Sequence, residues 1–278
     1  MKVCVVSVDV EEDLADLRQD CGGSKTFRGV ENLDKILGVF NGFGLRASLF
    51  ITGEVLEKYP CLVETWSTRH EIACHGYYHV PLYKLSITER EKQLEDYRRI
   101  YRKTLGRDPK GFRAVMHTID GIQLRLLEKY GFTYDSSVVP KYVPFRKYVG
   151  YKGKAPTEPY HPSCDNHRER GEHAILEIPN SPLIFGIPLA GTWIRVLSPG
   201  VFRVLLALKK PEFISLAMHS WDVVEYKGSF SKNSEETFIE YLDIVLKMLS
   251  KSYRLMPAEE IAFLLNKEDK ADASTCSE

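Results

Sequence analysis

The chain of 278 residues is 44% hydrophobic and 27% charged, a balance that excludes disordered, collagen-like and coiled-coil proteins and can bury a large core. Its 38 Lys and Arg residues match 38 Asp and Glu residues, so no global positive field exists to release counterions from nucleic acid, and DNA and RNA are not expected partners. In chain order, residues 3–8 form a short apolar strand followed at once by Asp9, Glu11, Glu12 and Asp13, which is too short for a secretory leader. Residues 31–40 carry apolar side chains at helical spacing. Strands follow at residues 46–51 and 71–74, and then Ser86-Ile87-Thr88-Glu89 has the capping-box form before a long charged helix reaching about Leu105. Further strands read at residues 111–114, 132–134, 175–178 and 214–218, with Asp120 and Ser234 as helix N-caps.

Strands alternating with helices predict parallel pairing through βα units, and about seven of them predict a closed or nearly closed barrel with its chemistry at the strand C-terminal ends. Residues 142–170 break the rhythm with four prolines and read as an irregular insertion, a candidate lid over one face. The domain is expected to span residues 1–266, leaving 267–278 as a polar tail. The richest apolar stretch, residues 183–208, is cut by Pro188, Arg195, Pro199 and Arg203. It is therefore no membrane span and reads as core, with a peripheral lipid contact as the alternative. The six cysteines, Cys4, Cys21, Cys61, Cys74, Cys164 and Cys276, form no CxxC pair, which favours free thiols and a cytoplasmic setting.

Two groups of residues carry chemistry. Alternation along the first strand sends Asp9 and Glu11 to one face, where a barrel keeps its active site. His75 and His79 stand four apart, which on a helix or an extended strand turns both imidazoles to one side. Two histidines and one carboxylate make a three-ligand site for zinc or a related divalent ion, with room for water and substrate. By contrast, His161, Cys164, His167 and His173 have no recognised metal spacing and read as a solvated loop.

These stretches in their order resemble the polysaccharide deacetylases, the chitooligosaccharide deacetylase-like or family 4 carbohydrate esterases. Ser7-Val8-Asp9-Val10-Glu11-Glu12-Asp13 is similar to the first motif, Arg46 to Glu54 to the second-strand segment, and His70 to His79 to the metal motif. Gly111-Phe112-Arg113-Ala114 resembles the arginine motif, Tyr134-Asp135-Ser136-Ser137 follows it, and Met218-His219-Ser220-Trp221 resembles the closing histidine motif. The variant is most similar to the branch associated with exopolysaccharide modification. The resemblance implies a single-domain α/β fold, a distorted, incomplete (β/α) barrel. It implies a metal held by Glu11, His75 and His79, zinc first with cobalt, manganese and nickel as alternatives. It also implies Asp9 as the base acting on water, Arg113 tuning Asp9, and His219 as the acid that protonates the departing amine.

The reaction so implied is removal of an N-acetyl group from an amino sugar in a glycan or glycolipid precursor, with an N-acetylated sugar, oligosaccharide or glycolipid as partner and a homo-oligomer left open. Val10 stands where many members carry the second aspartate, so Glu11, or Glu12, takes that ligand position. Asp222 or Asp135 takes the place of the acid that tunes the histidine, and Trp193 and Trp221 are candidates to stack on a sugar ring. Two other functions remain open: hydrolysis of a cyclic imide or ureide on the same fold, and glycan binding without turnover.

Overall fold

The computed structural model describes residues 2–13, 23–140, 153–180, 182–183, 188–225 and 235–275. Strand β1 (Val3–Val10) pairs in parallel with β2 (Ser48–Ile51) on one side and β8 (Phe213–His219) on the other. From β2 the sheet continues through β3 (Glu71–Cys74), β4 (Gly111–Phe112), β5 (Tyr134–Asp135) and β6 (Leu176–Glu177), all parallel. Beyond β8 lies β7 (Leu189–Ala190), and β9 (Arg254–Met256) pairs with the first residues of β1. The path β6-β5-β4-β3-β2-β1-β8-β7 curls without closing, so the fold is a single α/β half-barrel. Each strand expected from the sequence is present, and two short ones are added. Strand β7 hides inside the apolar stretch after Pro188, and β9 has three residues and no β-branched side chain.

The helices pack outside the sheet: α1 (Arg28–Glu31), α2 (Asp34–Gly42), α3 (Gly53–Lys58), α4 (Pro60–Ser67), α5 (Ile87–Leu105), α6 (Gly121–Lys129), α7 (Gly191–Val196), α8 (Pro199–Lys209), α9 (Glu235–Ser250) and α10 (Ala258–Thr275). The capping box forms at α5, where Ser86 Oγ accepts from Glu89 N at 3.3 Å and Glu89 Oε2 accepts from Ser86 N at 2.7 Å. Asp120 caps α6 by accepting from Gln123 N at 2.8 Å, whereas Ser234 lies outside the described residues. The helix expected over residues 31–40 is found as α2, starting at Asp34; the short α1 precedes it and ends at Asn32, whose side chain donates to Arg28 O at 2.9 Å. Helix α10 runs through Thr275, into the segment that composition alone reads as tail. Of the irregular insertion, residues 142–152 lie outside the described set. The remainder is tied down by bridges Tyr160 to Glu177 and Pro162 to Arg170.

Alternation along β1 sorts the interior. Cys4, Val6, Val8 and Val10 pack against the helices, while Val5 points inward with Phe50, Ala73, Tyr134 and Met256, beneath Ile261 and Ala262 of α10. Each valine so buried contributes roughly 1.5–3 kcal/mol. The inward file continues upward as Ser7 and Asp9, so the barrel grades from an apolar floor to a polar mouth.

Candidate active site

Asp9 occupies the inward position near the end of β1, level with Phe50 on β2 and His219 on β8. Glu11 lies one step beyond the strand on the same side. The following turn is pinned by Asp13, whose carboxylate accepts from Thr26 Oγ1 at 2.7 Å and from the backbone N of Arg28 and Gly29 at 2.8 and 2.9 Å.

His75 follows β3 directly, and its Nδ1 sits 2.8 Å from the carbonyl of Arg113. A carbonyl only accepts, so Nδ1 carries a proton and the ring is held with Nε2 turned toward Glu11. His75 Nε2 faces Glu11 Oε2 at 3.0 Å, and His79 Nε2 faces the same oxygen at 2.8 Å. The two rings meet through a turn, with Gly76 at φ 75°, and not along a helix. Each of the three residues offers a ligand atom within 4.8 Å of the others, and among the described residues no other group of His, Cys, Asp and Glu does so. Two imidazole nitrogens and a carboxylate oxygen converging on one point make the three-ligand donor set of a divalent ion, so these residues fit such an ion. Burial works against the charge on Glu11, but His79 and His75 outweigh it and hold the carboxyl well below its usual range. Glu12 turns elsewhere, to Lys25 at 2.5 Å, with His79 Nδ1 at 3.6 Å.

Arg113, fully buried at the end of β4, donates from Nη1 to Asp9 Oδ1 at 2.6 Å. Its other donors reach Ser7 Oγ at 3.0 Å, Ser136 Oγ at 2.9 Å and Ser136 O at 2.9 Å, and its guanidinium lies 4.0 Å over the Phe50 ring. Burial alone would raise the Asp9 pKa, but Arg113, then His75 and His219, reverse the sign and lower it. Asp9 Oδ2 is left toward the mouth, 4.0 Å from both His75 Nε2 and His219 Nε2.

His219 ends β8, and its imidazole stacks on Trp221 with ring centroids 4.2 Å apart. The acid beside it is Asp222, whose Oδ2 accepts from His219 N at 2.9 Å and stands 3.9 Å from Nδ1. Asp135 instead accepts from Ser137 Oγ at 2.5 Å and shares a hydrogen bond with the Glu177 carboxyl. Gly191 makes this approach feasible, since a Cβ there would fall 1.9 Å from Asp222 Oδ2. Trp221, expected as a sugar platform, is 4% exposed, and its Nε1 donates to Glu11 Oε1 at 3.0 Å. It belongs to the frame that aims Glu11 and His219. Trp193 is half-buried and packs against the core on α7.

Sequence reasoning missed Ser7, Ser136 and the positioning contact of Trp221. His117 is a further half-buried group beside the site. Met116 and His117 take positive φ of 52° and 57° in a tight turn after Arg113, and His117 Nδ1 lies 3.0 Å from Ser137 O. Burial first, and then Arg113, hold its pKa down to about 3, so the ring stays neutral. Ser7 could have been found, since it stands two residues before Asp9 on the same strand face.

Comparison with known proteins agrees with this architecture. The polysaccharide deacetylase family model matches residues 20–134, under half of the chain. That stretch contains His75, His79 and Arg113, whereas Asp9, Glu11 and His219 lie outside it. A peptidoglycan deacetylase-like protein of Gibberella zeae is 30% identical over 118 residues, covering 40% of this chain and 34% of its own. The chain spans under half the length of the curated relatives it matches. Among solved structures, a candidate polysaccharide deacetylase from Mycobacterium smegmatis aligns over 96% of this chain and 92% of its own, with 17% identity and a TM-score of 0.65. An allantoinase aligns over 94% and 88%, with 15% identity and a TM-score of 0.63. At those identities the structures speak for the fold alone. Over residues 20–134 the chain is similar to the polysaccharide deacetylases.

Proposed function

We propose that the protein is a polysaccharide deacetylase family hydrolase that removes an N-acetyl group from an amino sugar in a glycan or glycolipid precursor. The observation that carries this reading is the meeting of Glu11, His75 and His79 at one point, with Asp9 Oδ2 and His219 Nε2 beside it, 4.0 Å apart. A pure binding protein has no use for such a matched base and acid. The same fold houses an allantoinase, so fold does not choose between amide and ureide chemistry; the relatives and the motif order favour the acetylated sugar.

In this reading Glu11, His75 and His79 hold a divalent cation, zinc by preference for two imidazoles and a carboxylate. When bound, the ion supplies the positive charge that polarises the amide carbonyl and acidifies water. Asp9 Oδ2 takes the proton of the attacking water. Arg113 keeps Asp9 ionised and fixes Oδ1, so only Oδ2 is offered. His219 gives a proton from Nε2 to the leaving nitrogen, without which an amine departs poorly. Trp221 and Asp222 hold that imidazole in place from its face and its backbone. Cys4, Cys61, Cys74 and Cys164 are free thiols, which supports action in a reducing cytoplasm.

The test is acetate release over a panel of N-acetylhexosamine compounds and cyclic ureides, with elemental analysis of the purified protein. Acetate release should require a divalent ion and vanish in the double variant Glu11→Ala, His75→Ala. Full activity in that variant, or turnover of ureides alone, overturns the proposal.

A further inference from the structure

The strongest feature outside the site is the outer face of α8. A surface helix normally turns polar residues to water and apolar ones to the core. Here the inner face is apolar, with Phe202, Leu205 and Leu206 buried, and the outer face is apolar too: Val201 is 39%, Val204 55% and Leu208 70% exposed. Positions 201, 204 and 208 fall on one stripe at helical spacing. Arg203 and Lys210 lie exposed at its flank and its end, and Lys2 reaches back to Lys210 O.

Charge decides what could cover this face. No Asp or Glu occurs from residue 178 to residue 211, whereas the chain as a whole is balanced at 38 and 38. A second copy docking by two-fold symmetry would bring Arg203 and Lys210 against the same cations of the other copy, and the neighbouring acid, Glu212, is already paired with Lys2 at 3.2 Å. An anionic lipid surface answers both features, taking the apolar stripe into its acyl boundary and the flanking cations at its headgroups.

We infer that α8 is a lipid-docking helix that seats the protein on an anionic membrane surface. Helix α8 follows α7 after two residues, and α7 begins at Gly191, packed against Asp222 beside His219. Helix α8 runs from beside α7 at the mouth to Lys210 next to Lys2 at the floor, so docking there lays the flank of the barrel along the bilayer, with the mouth at one edge of the contact and open to a sugar carried on a neighbouring lipid. That consequence for substrate rests on the deacetylase reading; the docking itself does not.

The experiment is vesicle co-sedimentation of the full chain with phosphatidylcholine vesicles, with and without phosphatidylglycerol. Wild type should pellet with the anionic vesicles and be released by salt. The double variants Val204→Ser, Leu208→Ser and Arg203→Glu, Lys210→Glu should each weaken binding about tenfold or more, while melting temperature and acetate release from a soluble substrate stay unchanged. Absence of pelleting, equal pelleting of wild type and variants, or light scattering that shows a dimer broken by the same variants overturns the inference. Vesicle binding without deacetylation would leave it standing and remove the catalytic reading; deacetylation without vesicle binding would do the reverse.

Discussion

At the C-terminal end of the strands, Asp9 is buried 2.6 Å from the guanidinium of Arg113. At the opposite end, Glu71 is buried as completely but meets only the hydroxyls of Ser48 and Tyr134 and the backbone N of Glu259, with the Glu259 carboxylate nearby. The two carboxyls therefore shift in opposite directions. Burial raises both, but a cation in contact reverses the sign at Asp9, whereas burial followed by a second acid carries Glu71 up to about 7. One end of the barrel keeps a charge ready for use, and the other plugs the floor with a group that gains by holding a proton.

If the mouth is where charge is used, its loss should be felt first in rate. Asp9→Asn and His219→Ala are each expected to lower kcat/KM by about 10²–10⁴-fold, the usual span for a general base or acid, with melting temperature affected far less in His219→Ala. Glu71→Gln should change the rate by no more than a few-fold. Steady-state acetate release separates the two ends; a Glu71 variant as slow as the Asp9 variant would abolish the contrast.

Next in size is the cost of breaking the buried pair. Arg113→Met leaves Asp9 ionised among buried neighbours and strips donors from Ser7 and Ser136, at about 3–5 kcal/mol. Adding Asp9→Asn to that variant should restore part of the loss, because the uncompensated charge goes with it. Urea denaturation of the single and double variants measures this coupling. Strictly additive losses would mean that Arg113 acts as packing and not as the partner of Asp9.

How much of this was legible in the sequence follows from how local each signal is. Alternation on β1 placed Asp9 and Glu11 together, and Ser86 with Glu89 marked the start of α5, because both patterns close within a few residues. His75 and His79 were legible as a pair, but the means of their meeting was not, since a positive φ at Gly76 leaves no periodic trace. The Trp221 bond to Glu11 spans 210 positions, and nothing near either residue announces it. Nor could composition separate the two apolar faces of α8. A run of Val, Leu and Phe reads as core until the chain is wound and one side is seen to face water.

The smallest effect expected is the most specific to the floor of the barrel. The pKa of Glu71 rises from the ordinary 4.5 to about 7, so the folded state binds its proton more tightly than the unfolded chain does. That preference stabilises the fold fully below about pH 4.5 and is lost as pH climbs through 7, at most on the order of 3 kcal/mol. Glu71→Gln imitates the protonated form: the amide can still accept from Glu259 N and Ser48 Oγ, and Tyr134 can turn its hydroxyl to accept. The variant should therefore match wild type near pH 5 and become the more stable of the two near pH 8, read as the difference in melting temperature across the range. A difference that stays flat with pH would mean that Glu71 titrates as an ordinary acid, and the contrast between mouth and floor would lose its physical basis.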